Sequence, residues 1–131
     1  MLKKFMISLL ILSTSLFASV KHIDANEAIM KGKKVIDIRT EPEWRQTGIV
    51  KGSYTIMFFD EKGQYDIDAF LNALNKIVKK KEEFVLICRT GSRTTMVSQF
   101  LSDKLGYDVI NLKGGILQLI SQGYKTSPYK K

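Results

Sequence analysis

The chain has very little of what builds a metal site or a disulfide framework. Its 131 residues include one cysteine, Cys88, and one histidine, His22. A single cysteine excludes an internal disulfide, and the pair cannot supply the four ligands of an ordinary zinc site. We therefore predict no metal. Cys88 is either a core residue, a thiol paired with another molecule, or a reactive group, and His22 is interpreted as a surface residue.

Long hydrophobic runs and internal repeats are also missing. The largely apolar stretch over 5–12 is shorter than the ~20 residues that span a bilayer. Because it follows two lysines and precedes small residues up to Ala18, it is typical of a secretory signal peptide rather than an uncleaved anchor. We predict a signal peptide over 1–18 and one domain over 19–131, periplasmic or secreted, without stable membrane insertion. Its tail, 125–131, is predicted to be flexible.

Acidic residues are in deficit. The chain holds 21 lysines and arginines against 13 aspartates and glutamates, a formal net charge of +8 at pH 7. A basic surface attracts nucleic acid, an anionic membrane face or small anions. Since export argues against nucleic acid, we predict no nucleic-acid partner and a small anionic substrate.

Strand and helix patterns alternate along the whole mature chain. Apolar β-type runs predict strands at 20–23, 34–39, 54–59, 84–87 and 107–112. Segments with helical spacing fall between them, the longest over 67–78 and over 97–105, the latter with a stop at Gly106. This alternation predicts an α/β fold with a central parallel sheet of about five strands and helices on both faces.

The most informative stretch runs from the buried-type strand 84–87 through Cys88 into a polar loop and a helix. Arg89 and Arg93 bracket the loop, whose inner residues are Thr90, Gly91 and Ser92. A helix start presents unpaired N–H groups and partial positive charge, so it binds anions and favours a thiolate over a thiol. We interpret Cys88 as a reactive, anion-binding thiol rather than a core residue.

The hexapeptide Cys88-Arg-Thr-Gly-Ser-Arg93 resembles the active-site loop of single-domain rhodaneses, the thiosulfate sulfurtransferases, of an exported bacterial type. Related phosphatases have C-x5-R, one residue longer than the C-x4-R found here. Three further segments in the family's order support the resemblance, which spans about residues 20–125. They are Asp37-Ile-Arg39 with Glu43-Trp44, the stretch 48–56 (which lacks the family's usual histidine), and Leu112-Lys-Gly114-Gly115.

The resemblance implies a rhodanese-like fold and two-step sulfur transfer. Cys88 would be the catalytic nucleophile and residues 89–93 the loop that binds the donor and the persulfide, with no cofactor besides that covalent persulfide. Supporting roles would fall to Asp37, Arg39, Gly114 and Gly115. Asp37, Arg39, Glu43 and Trp44 are all interpreted as structural, and Arg39 is the one expected to lie nearest the active site. The implied partners are an anionic sulfur donor and a cyanide or thiol acceptor, including a protein thiol.

Three other readings of the same residues remain. The domain could be a non-enzymatic sulfur carrier or a partner-binding module built on the same fold. A phosphatase or arsenate reductase would use the same cysteine, although the short loop argues against it. An exported redox thiol would need a partner, because the chain has no second cysteine to resolve a disulfide.

Overall fold

Strands and helices alternate throughout residues 19–131, the part of the chain that the structure, a computed structural model, describes. The predicted signal peptide lies outside these residues. The strands are β1 (Val20–Asp24), β2 (Val35–Asp37), β3 (Tyr54–Thr55), β4 (Phe84–Ile87) and β5 (Val109–Lys113). The helices are α1 (Glu27–Met30), α2 (Glu41–Thr47), α3 (Ile67–Asn75), α4 (Ser92–Leu105) and α5 (Gly115–Ser121).

All five strands are parallel and form one sheet in the order β1-β5-β4-β2-β3. Successive residues of β4 point to opposite faces, as strand geometry requires. Phe84 and Leu86 join a core cluster that contains residues of α3 and α4, whereas Val85 and Ile87 join one that contains residues of α1 and α5. The predicted α/β fold, with a parallel sheet covered on both faces, is confirmed. None of the helices within 19–131 is both long and apolar enough to cross a membrane.

The third strand is much shorter than the 54–59 segment that its sequence predicts. β3 covers only Tyr54–Thr55, although the backbone N–H of Phe58 still donates to the carbonyl of Ile38 at 3.2 Å. Beyond β3 the Phe58 ring turns into the core and meets Phe70 of α3 edge-on, with ring centroids 4.8 Å apart. Packing of this aromatic side chain takes the chain out of the regular ladder.

The tail makes defined contacts, unlike the frayed end that its polar sequence predicts. Ser127 and Ile49 exchange backbone hydrogen bonds of 2.8 Å in both directions. The Thr126 hydroxyl donates to the carbonyl of Thr47 at 2.7 Å, and the Tyr129 ring lies 5.2 Å from that of Trp44. The Tyr129 ring and the hydrogen bonds of Thr126 and Ser127 therefore hold the tail against α2 and the loop that follows it.

Candidate active site

Cys88 lies where β4, the central strand of the sheet, ends. Ligands of open parallel sheets bind beyond this carboxyl edge. The side chain has no exposed surface. The backbone N–H of Gly91 donates to Cys88 Sγ at 3.2 Å, and Thr94 Oγ1 lies 3.5 Å from the same sulfur. The thiol is thus enclosed by its own loop and provided with polar neighbours that suit a negative charge.

The loop turns directly into α4. Gly91 is the N-cap and has φ +99°, a left-handed conformation that favours glycine. α4 begins at Ser92, so Sγ lies within one turn of a helix N-terminus, where the unpaired N–H groups and the helix dipole favour an anion. The predicted order of strand, cysteine, loop and helix is present, with the predicted helix end at Gly106.

The start of α5 holds the loop from the other side. The backbone N–H of Ile116 donates to the carbonyl of Cys88 at 2.9 Å, and that of Leu117 donates to the carbonyl of Arg89 at 3.1 Å. In a trans peptide the C=O and N–H groups point in opposite directions. The N–H groups of Arg89 and Thr90 are therefore turned away from α5. They are left available to an anion near the loop.

Glycines make this close approach possible. A Cβ atom at Gly115 would lie 2.4 Å from the carbonyl oxygen of Arg89 and 2.6 Å from that of Cys88, and Gly115 has φ +63°. A Cβ at Gly91 would lie 2.9 Å from the backbone nitrogen of Gly114. Gly115 and Gly91 therefore allow backbone to meet backbone where α5 and the end of β5 approach the loop, whereas a Cβ at Gly114 would meet the side chain of Gln118.

Arg93 is fastened to α2 rather than left free. Its guanidinium makes two hydrogen bonds to the Glu43 carboxylate, of 2.8 and 2.7 Å. Glu43 also accepts from the backbone N–H and the hydroxyl of Thr40, at 3.2 and 3.0 Å. The hydrogen bonds from Arg93 are the main reason why the pKa of Glu43 falls from 4.5 to about 2, and the same contact raises the pKa of Arg93. Arg93 therefore braces the first turn of α4.

Arg89 differs from Arg93 in this respect. Within the described residues no carboxylate lies in salt-bridge distance of Arg89, and its side chain is partly exposed. Ser92 and Thr90 are exposed as well. Of the two loop arginines, Arg89 is therefore the one that forms no ion pair with a carboxylate of the described residues, whereas Arg93 is paired with Glu43.

Asp37, at the end of β2, and Arg39 form a fully buried ion pair that does not contact the Cys88 sulfur directly. Arg39 Nε donates to Asp37 Oδ1 at 3.0 Å and Nη2 donates to Oδ2 at 2.8 Å. The same guanidinium donates to Thr47 Oγ1 at 2.8 Å and to the carbonyl of Gly48 at 3.0 Å. Arg39 therefore ties the end of β2 to the carboxyl end of α2. Helix α2, to whose end Arg39 is bonded, also carries Glu43, the partner of Arg93.

Comparison with known proteins shows the family of this chain. The sequence profile of the rhodanese-like domain matches residues 21–122. The chain belongs to the rhodanese-like domain family. No protein of curated function matches it significantly.

Solved structures show the same rhodanese-like fold. A rhodanese-related protein from Thermoplasma volcanium is 26% identical, with a TM-score of 0.58 over 78% of this chain and 94% of that one. A rhodanese-like domain protein from Staphylococcus aureus is 24% identical, with a TM-score of 0.57 over 74% and 88%. A protein of unknown function from Rhodopseudomonas palustris, described as a possible tyrosine phosphatase, is 18% identical, with a TM-score of 0.59 over 86% and 89%.

Some residues of this rhodanese-like site are not singled out by sequence reasoning. Glu43 is interpreted there as purely structural, yet it is the partner of Arg93 across 50 positions of the chain. Thr94 and Thr95 follow the hexapeptide and both donate a hydroxyl hydrogen to the Gly91 carbonyl, at 3.1 and 2.7 Å. The sequence signal that could have predicted these contacts is the pair of adjacent threonines in the first turn of a helix, because threonine hydroxyls there often bond to nearby backbone carbonyls.

His22 lies on the surface of β1, as its sequence position predicts, and takes no part in the immediate surroundings of Sγ. Among residues 19–131, no three His, Cys, Asp or Glu side chains come together as ligands for a metal ion. What the arrangement offers chemically is one enclosed thiol, a backbone N–H that donates to its sulfur, and an arginine, Arg89, without a carboxylate partner among the described residues.

Proposed function

We propose that this rhodanese-like domain is a sulfurtransferase that moves sulfane sulfur from a small anionic donor of the thiosulfate type to cyanide or a thiol acceptor through a persulfide on Cys88. The observation that carries the proposal is the Gly91 N–H directed at Cys88 Sγ inside a six-residue loop that α5 holds by its carbonyls. That arrangement stabilises negative charge on sulfur both before and after transfer.

The first step is a displacement at sulfur. Cys88 as thiolate attacks the outer sulfur of thiosulfate, a new S–S bond forms, and the old S–S bond breaks with its electron pair leaving on sulfite. The product is an anionic persulfide, which the loop N–H groups stabilise as they stabilise the thiolate. The scheme begins from the thiolate and uses neither a histidine base nor a cofactor.

The second step returns the enzyme to its starting state. Cyanide or an acceptor thiolate attacks the outer sulfur of the persulfide, the persulfide S–S bond breaks, and its electron pair stays on Cys88. The products are thiocyanate or a new persulfide on the acceptor. The acceptor class includes protein thiols, and no nucleic acid takes part.

Arg89 is assigned to the anionic donor and Arg93 to the loop's architecture. Arg93 already has a carboxylate partner at 2.7 Å, whereas Arg89 has none within the described residues. A dianionic donor therefore gains more from Arg89 than from a guanidinium whose charge Glu43 balances.

The site of action is proposed to be the periplasm or the exterior. This rests on the signal-peptide pattern of residues 1–18. Fractionating cells that carry the full chain with a C-terminal epitope tests it. Retention of the unprocessed chain in the cytoplasm would contradict the proposal.

The decisive experiment is the intact mass of the purified domain before and after thiosulfate, with Cys88→Ser as the matched control. We expect the wild type to gain one sulfur atom and to lose it to cyanide as thiocyanate, while the serine variant gains none. Retained transfer in Cys88→Ser would refute the mechanism. A phenyl phosphate substrate measured in parallel tests the phosphatase reading.

The second candidate is a non-catalytic member of the same family, favoured by the complete burial of Cys88. A domain that loads sulfur but releases it slowly to cyanide would be a carrier for a partner protein. A domain that never loads, although Cys88 can be alkylated, would be a binding module.

A further inference from the structure

A line of hydrogen bonds links the only histidine of the protein to the active-site loop. His22 Nδ1 on β1 lies 2.9 Å from Asn111 Nδ2 on β5, and the same Nδ2 donates to Thr95 Oγ1 on α4 at 3.0 Å. Thr95 Oγ1 in turn donates to the carbonyl of Gly91 at 2.7 Å. Gly91 is the residue whose N–H is directed at Cys88 Sγ.

The direction of every bond in this line follows from a count of hydrogens. Thr95 has one hydroxyl hydrogen and gives it to Gly91, so it can only accept from Asn111. The amide group of Asn111 has two hydrogens, which then go to Thr95 and His22. His22 must therefore accept through Nδ1, with its ring proton on Nε2.

Burying Asn111 in the middle of this line of hydrogen bonds is unfavourable for stability. Asn111 is wholly buried, and its Oδ1 is one of the few buried side-chain atoms in residues 19–131 that have no hydrogen-bond partner. An unsatisfied buried acceptor is destabilising, and a leucine or valine would fill this strand position without it. A threonine hydroxyl bonded to a preceding carbonyl is common in helices. Here a buried amide also fixes that hydroxyl from the neighbouring strand.

We propose that Asn111 and Thr95 are positioning residues that hold Gly91, and with it the loop over Cys88, in the closed form, and that His22 is the solvent-side end of the same device. The Gly91 carbonyl receives bonds from Thr94, from the Thr95 hydroxyl and from the Thr95 N–H. These bonds fix the left-handed conformation of Gly91, which sets the direction of its N–H. The inference rests on the proposed function only in taking Cys88 as the reacting atom.

The test measures how fast Cys88 of the folded protein reacts with iodoacetamide, a probe that does not require sulfur transfer. Because the side chain is enclosed, the reagent reaches Sγ only when the loop opens. Thr95→Val keeps the shape and removes the hydroxyl, whereas Thr95→Ser keeps the hydroxyl. We expect alkylation about fivefold faster in Thr95→Val, the scale of one lost hydrogen bond, and a rate near wild type in Thr95→Ser.

A second pair of variants tests the solvent-side end of the line, at His22. His22 is exposed, so His22→Leu should not unfold the domain but should raise the alkylation rate by removing the acceptor. His22→Asn places an acceptor near the position of Nδ1 and should restore the rate.

Unchanged alkylation in Thr95→Val and His22→Leu would overturn the proposal. So would equal acceleration in the serine and valine variants, because packing rather than the hydroxyl would then be responsible. A wild type that reacts with iodoacetamide but gains no sulfur from thiosulfate would refute the proposed function alone, since the alkylation rates decide the positioning role independently.

Discussion

Replacing Glu43 by glutamine should weaken the domain in a way that depends on pH. The substitution keeps the side-chain size and removes the charge that Arg93 contacts. The pKa of Glu43 falls from 4.5 to about 2 on folding, which sets a ceiling of about 3 kcal/mol on the free energy of unfolding that the ionised carboxylate supplies. Both side chains are partly exposed, so solvent screening should reduce the loss to ~1–2 kcal/mol.

The sign of the pH effect follows from the depressed pKa of Glu43. A carboxylate that ionises more easily in the folded state contributes its full stability above its unfolded pKa and loses it as the pH falls toward its folded pKa. The difference in free energy of unfolding between wild type and Glu43→Gln should therefore be largest above about pH 5 and should vanish only below about pH 2.

Urea unfolding followed by the fluorescence of Trp44, the only tryptophan, measures this difference directly. Glu41→Gln is the matched control, because Glu41 lies on the same helix and also pairs with an arginine, Arg45, at an exposed site. It should change stability less than Glu43→Gln. Equal effects of the two substitutions, or a Glu43→Gln loss that persists unchanged at low pH, would refute the brace.

Three further predictions concern other parts of the site and the tail. Gly115→Ala should lower the free energy of unfolding by ~2 kcal/mol or more and slow the transfer of sulfur from thiosulfate to Cys88, because the new Cβ would clash with the loop carbonyls. Gly63→Ala is the control, since Gly63 has a similar φ and open space around it, and it should leave that transfer unchanged. Equal transfer rates in the two variants would contradict this. Arg89→Gln should raise the KM for thiosulfate several-fold at low salt with little change in thermal stability, and an unchanged KM would remove Arg89 from donor binding. Deleting 126–131 should shift Trp44 emission to longer wavelength and lower the melting temperature; an unchanged spectrum would mean that the tail does not cover the ring.

Local pattern was sufficient to predict the strand and the helix on either side of Cys88. The run of apolar residues before Cys88, the glycine in the loop and the spacing of α4 are all short-range signals, and strand β4 and the helix end at Gly106 are where they predict. The parallel sheet follows from alternation alone. The resemblance of four segments added the family, which the profile match confirms.

Features that depend on contacts between residues distant in the sequence could not be predicted from local pattern. Nothing near Arg93 in the sequence indicates that Glu43 is its partner, because the two meet only when α2 and α4 pack at the same edge. Likewise Phe58 reads as a strand residue until Phe70 is placed beside it, and the tail reads as frayed until Trp44 offers a surface. In each case a side chain from another element decided the outcome.

The sheet order has a consequence for the order of synthesis. β1 pairs only with β5, so the first strand of the domain has no partner in the sheet until residues 109–113 have been made. The loop carbonyls likewise wait for Ile116 and Leu117. In a growing chain the loop around Cys88 therefore acquires its contacts with α5 only after residue 117 has been made. We expect the domain to fold only once residues 109–117 have been made, which is compatible with the export proposed above.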